Sequence, residues 1–199
     1  MSALPLFWGD GDADPKAVLS NPDHRAPVIL ALLEAYRVRP VDVIDAAAFA
    51  GTDLLIVAQP RILQAQELVD LDGWVRRGGR VLIFADPDLV WPGTLAPGDP
   101  RRAPPVTLLD PLFTHWGMAL SADGPPGDVA VNGAPLVPLR GGRWASTDPR
   151  CSAQADALVL TCGIGKGQAV LVADADLLDM RDNEENHEGL MALLAHALR

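Results

Sequence analysis

The chain has 199 residues, 49% of them hydrophobic, and a formal net charge of −10. That size supports one well-buried core and excludes general disorder, while the acidic balance opposes non-specific binding to nucleic acid or to an anionic membrane surface, both of which need a basic face. No apolar run approaches the roughly 20 residues of a membrane span, so neither a nucleic-acid partner nor direct membrane insertion is expected.

Ala3 to Trp8 reads as a first strand followed by a Gly/Asp loop. His24 to Tyr36 reads as a helix with Pro27 at its start, and Val38 to Ile44 as a second strand. The clearest local signal runs from Asp53 to Pro87. Leu54–Ala58 and Val81–Ala85 are short, continuously apolar runs, the pattern of strands buried on both faces of a parallel sheet. Between them Leu68, Leu71 and Val75 recur at helical spacing, and Gly78-Gly79 stops the helix. Both strands then end, at Gln59-Pro60 and Asp86-Pro87, on one edge of the sheet, where open parallel sheets bind their ligands.

Residues 88–106 form a proline-rich stretch (Pro92, Pro97, Pro100, Pro104 and Pro105) expected as a long loop leaving that edge. Thr107–Trp116 reads as a helix ended by Gly117, and residues 118–162 as a β-rich excursion full of Gly and Pro. Ala157–Cys162 and Gln168–Ala173 read as the strands of a hairpin around Gly163-Ile164-Gly165-Lys166-Gly167, the second ending at Asp174. Leu190, Leu193, Leu194, Ala197 and Leu198 mark a closing helix, for which Asp182 and Glu185 supply a capping-box-like start. A single α/β domain spanning residues 1–199 is expected.

Little conventional catalytic chemistry is visible. Cys151 and Cys162 have no CxxC spacing and read as ordinary thiols; no GxSxG occurs. The GIGKG run lacks the Ser or Thr that follows lysine in a phosphate loop and precedes a strand, so it reads as a turn. His24, His115, His187 and His196 show no metal-ligand pairing. Aspartates are the more informative set. Asp10, Asp12 and Asp14 follow the first strand, Asp86 and Asp88 the fourth, Asp174 and Asp176 the last, so all could converge on one edge. Clustered carboxylates suit Mg²⁺ or Ca²⁺, but Asp is also common in turns and at helix starts, and that is the favoured reading. No metal or cofactor is expected.

Three segments together carry a family likeness: GRVLIFADP after an amphipathic helix, TLLDPLFTHWGMAL, and GIGKGQAVLVADADLL followed by DNEENHEGLMALLAHAL. They resemble the auxiliary proteins of ABC-type transport systems related to the gliding-motility auxiliary protein and to a domain of intraflagellar-transport proteins. The resemblance implies a flavodoxin-like, three-layer parallel sheet of class I glutamine-amidotransferase-like (GATase1-like) type, usually non-catalytic. It implies ATPase and permease subunits as partners, and a carbohydrate or other small-molecule ligand. The place of an amidotransferase nucleophile falls on Asp86-Pro87, where aspartate is a poor acyl-transfer nucleophile and proline has no N–H for an oxyanion hole.

The function expected is therefore that of a non-catalytic ligand- or partner-binding module in an ABC-type transport system. A metal-assisted hydrolase using the Asp cluster, or a structural assembly subunit, is the alternative. The candidate ligand-binding residues are Trp8, Asp10, Gln59, Asp86, Asp88, Trp91, Asp174 and Asp176. As it stands the chain is expected in the cytoplasm, or outside it if the native protein has a membrane anchor beyond this stretch.

Overall fold

The computed structural model describes residues 1–7, 25–93, 95–96, 98–99, 101–181 and 185–199. Two helices, α1 (Pro27–Ala35) and α2 (Ala46–Phe49), lead into the expected strand–helix–strand unit: β1 (Leu55–Ala58), α3 (Ala65–Arg76) and β2 (Arg80–Phe84). β1 and β2 pair in parallel, Leu55 opposite Val81 through Ala58 opposite Phe84. Glu67 fastens the start of α3. Its carboxylate accepts the Gln64 and Ile44 backbone N–H groups and a forked pair from Arg61, and chiefly that Arg61 contact holds its pKa down at about 2. The capping box is thus on this helix; Asp182, expected to cap the last one, lies outside the described residues.

The main sheet has five strands in the order β1-β2-β9-β8-β7, with β7 at Cys151–Gln154, β8 at Val159–Ile164 and β9 at Gly167–Val172. β9 lies parallel to β2, but β8 and β7 add on antiparallel. The sheet is therefore mixed, where the family resemblance implied a parallel one; the hairpin read around Gly163–Gly167 is present as β8 and β9. The cause is local: the β8–β9 link is a tight turn at Gly165-Lys166, with Gly165 in the left-handed region (φ +63°), and so short a link can join only antiparallel neighbours. Two expected strands are also absent among the described residues. Ser2 makes one parallel bridge to Ala58, after which the Leu6 N–H turns back to the Leu4 carbonyl; residues 38–44 are irregular, with Pro40 and Val43 exposed.

The β-rich excursion contains two antiparallel pairs, β3 (Met118–Ser121) with β6 (Arg143–Ser146) and β4 (Val129–Val131) with β5 (Ala134–Leu136). Helix α4 (Asp110–His115) precedes it, and α5 (Asn186–Ala197) packs on β2, β9 and β5. Phe84, Phe113, Leu82, Ile83, Leu171 and Leu193 are fully buried in one continuous core. Trp116 is core as well, its indole N–H donating to Asp72, and Trp74 stacks on Phe49.

Cys151 and Cys162 are not ordinary thiols. They stand directly opposite each other on β7 and β8 and form a disulfide. The expectation failed because β7 lies in a stretch whose Gly and Pro content hid a strand. Cys151→Ser/Cys162→Ser is expected to lower stability by about 2–3 kcal/mol, the loop-entropy value for so short a ring, and chemical denaturation of oxidised wild-type against the double variant measures it.

Candidate functional site

The parallel strands β1, β2 and β9 all finish at one level. Ladder bonds continue past their ends, from the Gln59 N–H to the Phe84 carbonyl and from the Ala85 N–H to the Val172 carbonyl, each 2.9 Å. Gln59, Asp86 and Asp174 therefore stand together at the edge picked out by the sequence, and all three are fully buried. Gln59 sits in the left-handed region (φ +38°), which turns its side chain onto the neighbouring strand end. Its Oε1 accepts the Asp86 N–H at 2.9 Å, and its Nε2 donates to the Asp86 and Pro104 carbonyls at 3.3 and 2.9 Å.

Each aspartate ties two loops together. Asp86 accepts the Asp88 N–H on Oδ1 and the Ala175 N–H on Oδ2, at 2.8 and 2.9 Å, joining the turn after β2 to the turn after β9. Asp174 accepts the Leu139 and Leu177 N–H groups at 2.6 and 3.2 Å. Asp176 accepts the Val90 N–H on Oδ2 at 2.8 Å, while its Oδ1 is buried with no hydrogen-bond partner. One carboxylate oxygen from each of Asp86, Asp174 and Asp176 lies within 4.8 Å of the other two. Among the described residues no ion pair to any of the three is seen.

Burial without a counter-charge disfavours ionisation. Desolvation raises Asp86, raises Asp174 further with the neighbouring Asp86 charge adding to it, and pushes Asp176 up to about 7. Because the folded value of Asp176 lies above the ordinary carboxylate value, the folded state holds a proton that the unfolded chain releases. The stability this proton confers is complete below about pH 4 and is lost as pH rises through about 7. In buffer containing a chelator, the melting temperature of wild-type is expected to fall between about pH 5 and 8 relative to Asp176→Asn. Parallel curves for the two proteins would contradict this. The comparison also removes the opposite contribution of His196, which burial depresses in both.

The other sequence candidates divide. Asp88 is exposed and its side chain pairs with Arg140 at 3.4 Å; it touches the buried trio through its backbone N–H, which donates to Asp86. Trp91, a candidate ligand-binding residue, is only 9% exposed; its indole N–H is buried without a partner and the Arg181 guanidinium lies 5.7 Å from the ring centre. Trp8 and Asp10 lie outside the described residues, as do Asp12 and Asp14. Sequence reading missed the segment from Leu139 to Gly142, which closes over Asp174. A side chain at Gly141 would come within 3.1 Å of Asp174 Cβ and Oδ2, and one at Gly142 would strike the Ser121 carbonyl. The adjacent glycine pair was the available signal.

Beside the trio a groove of about 970 Å³ runs along the β1 edge, walled among the described residues by Phe7, Val38, Leu54, Leu89, Trp91 and Leu178. Leu89 and Trp91 belong to the loop after Asp86, and Leu178 to the turn after Asp176, so the latched loops form one wall of the groove.

A mixed α/β domain whose parallel strands end in a closed, hydrogen-bonded carboxylate cluster is the class of protein this geometry defines. The same fold appears in the mmIFT52 N-terminal domain, with a TM-score of 0.61 at 15% identity over 86% of this chain and 89% of that one. The cytoplasmic protein STM1381 from Salmonella typhimurium LT2 also superposes, with a TM-score of 0.50 at 11% identity over 86% of each chain. The exo-β-1,4-mannosidase Op5Man5 from Opitutaceae bacterium strain TAV5 gives 0.46 at 17% identity over 80% of this chain, which spans only 27% of that one. No curated protein matches significantly. Residues 7–124 match the family described as ABC-type uncharacterized transport system, and the chain belongs to that family of transport-system auxiliary components.

Proposed function

We propose that this chain is a non-catalytic ligand- or partner-binding module of an ABC-type transport system, docking to its ATPase and permease subunits through the groove beside the aspartate trio. One observation carries the non-catalytic half: at the end of β2 the Asp86 carboxylate is completely buried, out of reach of a substrate, and Pro87 offers no N–H. A nucleophile must be free to attack, and a developing oxyanion needs a donor. Family membership supports the transport half. The expected kinship with flavodoxin-like, glutamine-amidotransferase-like domains belongs to this reading too, supported by the parallel β1-α3-β2 unit and the turn that follows it.

A metal-assisted hydrolase fits less well. Hydrolysis on a metal requires an open coordination position that water and substrate can reach, whereas Asp86 and Asp174 are 0% and Asp176 6% exposed. The groove lies outside the buried trio, and its walls carry Leu54, Leu89 and Trp91 beside Arg39, Asp53 and Arg102, which suits a partner surface or a small molecule; a carbohydrate is the small-molecule class to screen first. The test is co-purification with the transport system's ATPase and permease, alongside assays for glutamine, ester and glycoside turnover. Complex formation without turnover is the expected result. Turnover abolished by Asp86→Ala would overturn the reading.

A further inference from the structure

We infer that the Asp86–Asp174–Asp176 cluster is a binding site for a hard divalent cation, Mg²⁺ or Ca²⁺, that locks the turns after β2 and β9 to each other. The inference does not depend on the docking role proposed above. Two separate observations carry it. The first is spacing: one oxygen from each carboxylate lies within 4.8 Å of the other two, and oxygens sharing one Ca²⁺ or Mg²⁺ stand at most about 4–5 Å apart, twice the metal–oxygen distance. The second is an unmet acceptor. Asp176 is 6% exposed, its Oδ2 is occupied by the Val90 N–H, and its Oδ1 is buried with nothing to bond. A buried carboxylate oxygen without a donor is costly, and a cation removes that cost where no side chain does.

Charge balance leads the same way. Three ionised carboxylates would place three negative charges in a closed pocket to which, among the described residues, no Lys, Arg or His makes an ion pair, and one divalent cation reduces that to a single charge. The backbone N–H bonds to Asp86 and Asp174 do not compete with a metal. Each carboxylate oxygen has a second lone pair, and such bonds orient ligating carboxylates in metal sites. Because the oxygens come from the turn after β2 and the turn after β9, a cation here would join the same loops that wall the groove. Its role is structural, as in closed sites whose ligands leave no open position.

The test uses the full chain, stripped with a chelator and dialysed, then titrated with Mg²⁺ or Ca²⁺ alone while the melting temperature is followed. At a hundredfold excess over the dissociation constant the transition is expected to rise by about 5–10 °C. Asp176→Asn keeps an acceptor for the Val90 N–H but withdraws the unpaired anionic oxygen, and is expected to abolish the rise. Asp88→Asn, altering an exposed carboxylate outside the trio, is expected to retain it. A second readout on wild-type alone is Tb³⁺ luminescence excited through tryptophan, which should appear on binding beside Trp91 and be displaced by Ca²⁺. No thermal response and no displaceable luminescence would overturn the inference, leaving the trio as a proton-holding cluster. A response undiminished in Asp176→Asn would overturn it equally, by placing the cation elsewhere.

Discussion

Asp86→Ala is expected to lower stability by about 2–5 kcal/mol, although the carboxyl it removes is buried and raised in pKa. Deleting an unpaired buried acid would stabilise the fold by ending its desolvation. Here the carboxylate is the acceptor for the Asp88 and Ala175 N–H groups, both at the closed end of the sheet. Alanine leaves both donors without a partner, each at a cost of roughly 1–3 kcal/mol, and releases the turn after β9 from the turn after β2. Asp88→Ala, by contrast, breaks one exposed ion pair and should change stability by under about 1 kcal/mol. Urea denaturation of the two variants decides the matter. Equal stabilities would mean that the loops are not latched through Asp86.

Leu193→Ala is the companion test of the core, with an expected loss of about 2–5 kcal/mol. Leu193 is completely buried on α5, the helix that packs on β2, β9 and β5, so truncation leaves a cavity walled by a sheet that cannot collapse into it. The variant should still bind whatever wild-type binds, because Leu193 does not line the groove. Loss of binding in protein that remains folded would show that the groove and the α5 core are not independent.

The part of the fold legible in the sequence is the part whose signals are local. Leu54–Ala58 and Val81–Ala85 announce buried strands because each is continuously apolar and the segment between has helical spacing ended by Gly78-Gly79. Val38–Ile44 has similar residues, yet its Ile44 N–H bonds to Glu67 and not to a strand. Apolar pattern registers a wish for burial and not which backbone supplies the partner. β7 was hidden for the opposite reason: Cys151–Gln154 is half polar and becomes a strand only because the β8–β9 hairpin offers it an edge. The disulfide, which depends on that pairing, could not be read before it.

The site divides the same way. That Gln59, Asp86 and Asp174 share an edge follows from where three apolar runs end, and the structure brings them together with Asp176. That their side chains are spent on backbone N–H groups from Val90, Leu139 and Ala175 does not follow, since these partners lie 86, 35 and 89 residues away in the chain. Trp91 illustrates the limit most plainly. A tryptophan in a proline-rich loop reads as a ligand-binding candidate, but the latch between Asp176 and Val90 draws its neighbour down to 9% exposure in the wall of the groove.

Docking through the groove is decided by calorimetric titration of the chain with the ATPase–permease assembly of its transport system. Saturable binding is predicted, weakened at least tenfold by Leu89→Asp, since a charge in an apolar contact removes hot-spot burial worth about 2 kcal/mol or more while the melting transition of this half-buried loop position stays nearly unchanged. Absence of binding by wild-type, or binding undiminished in Leu89→Asp, would contradict the account.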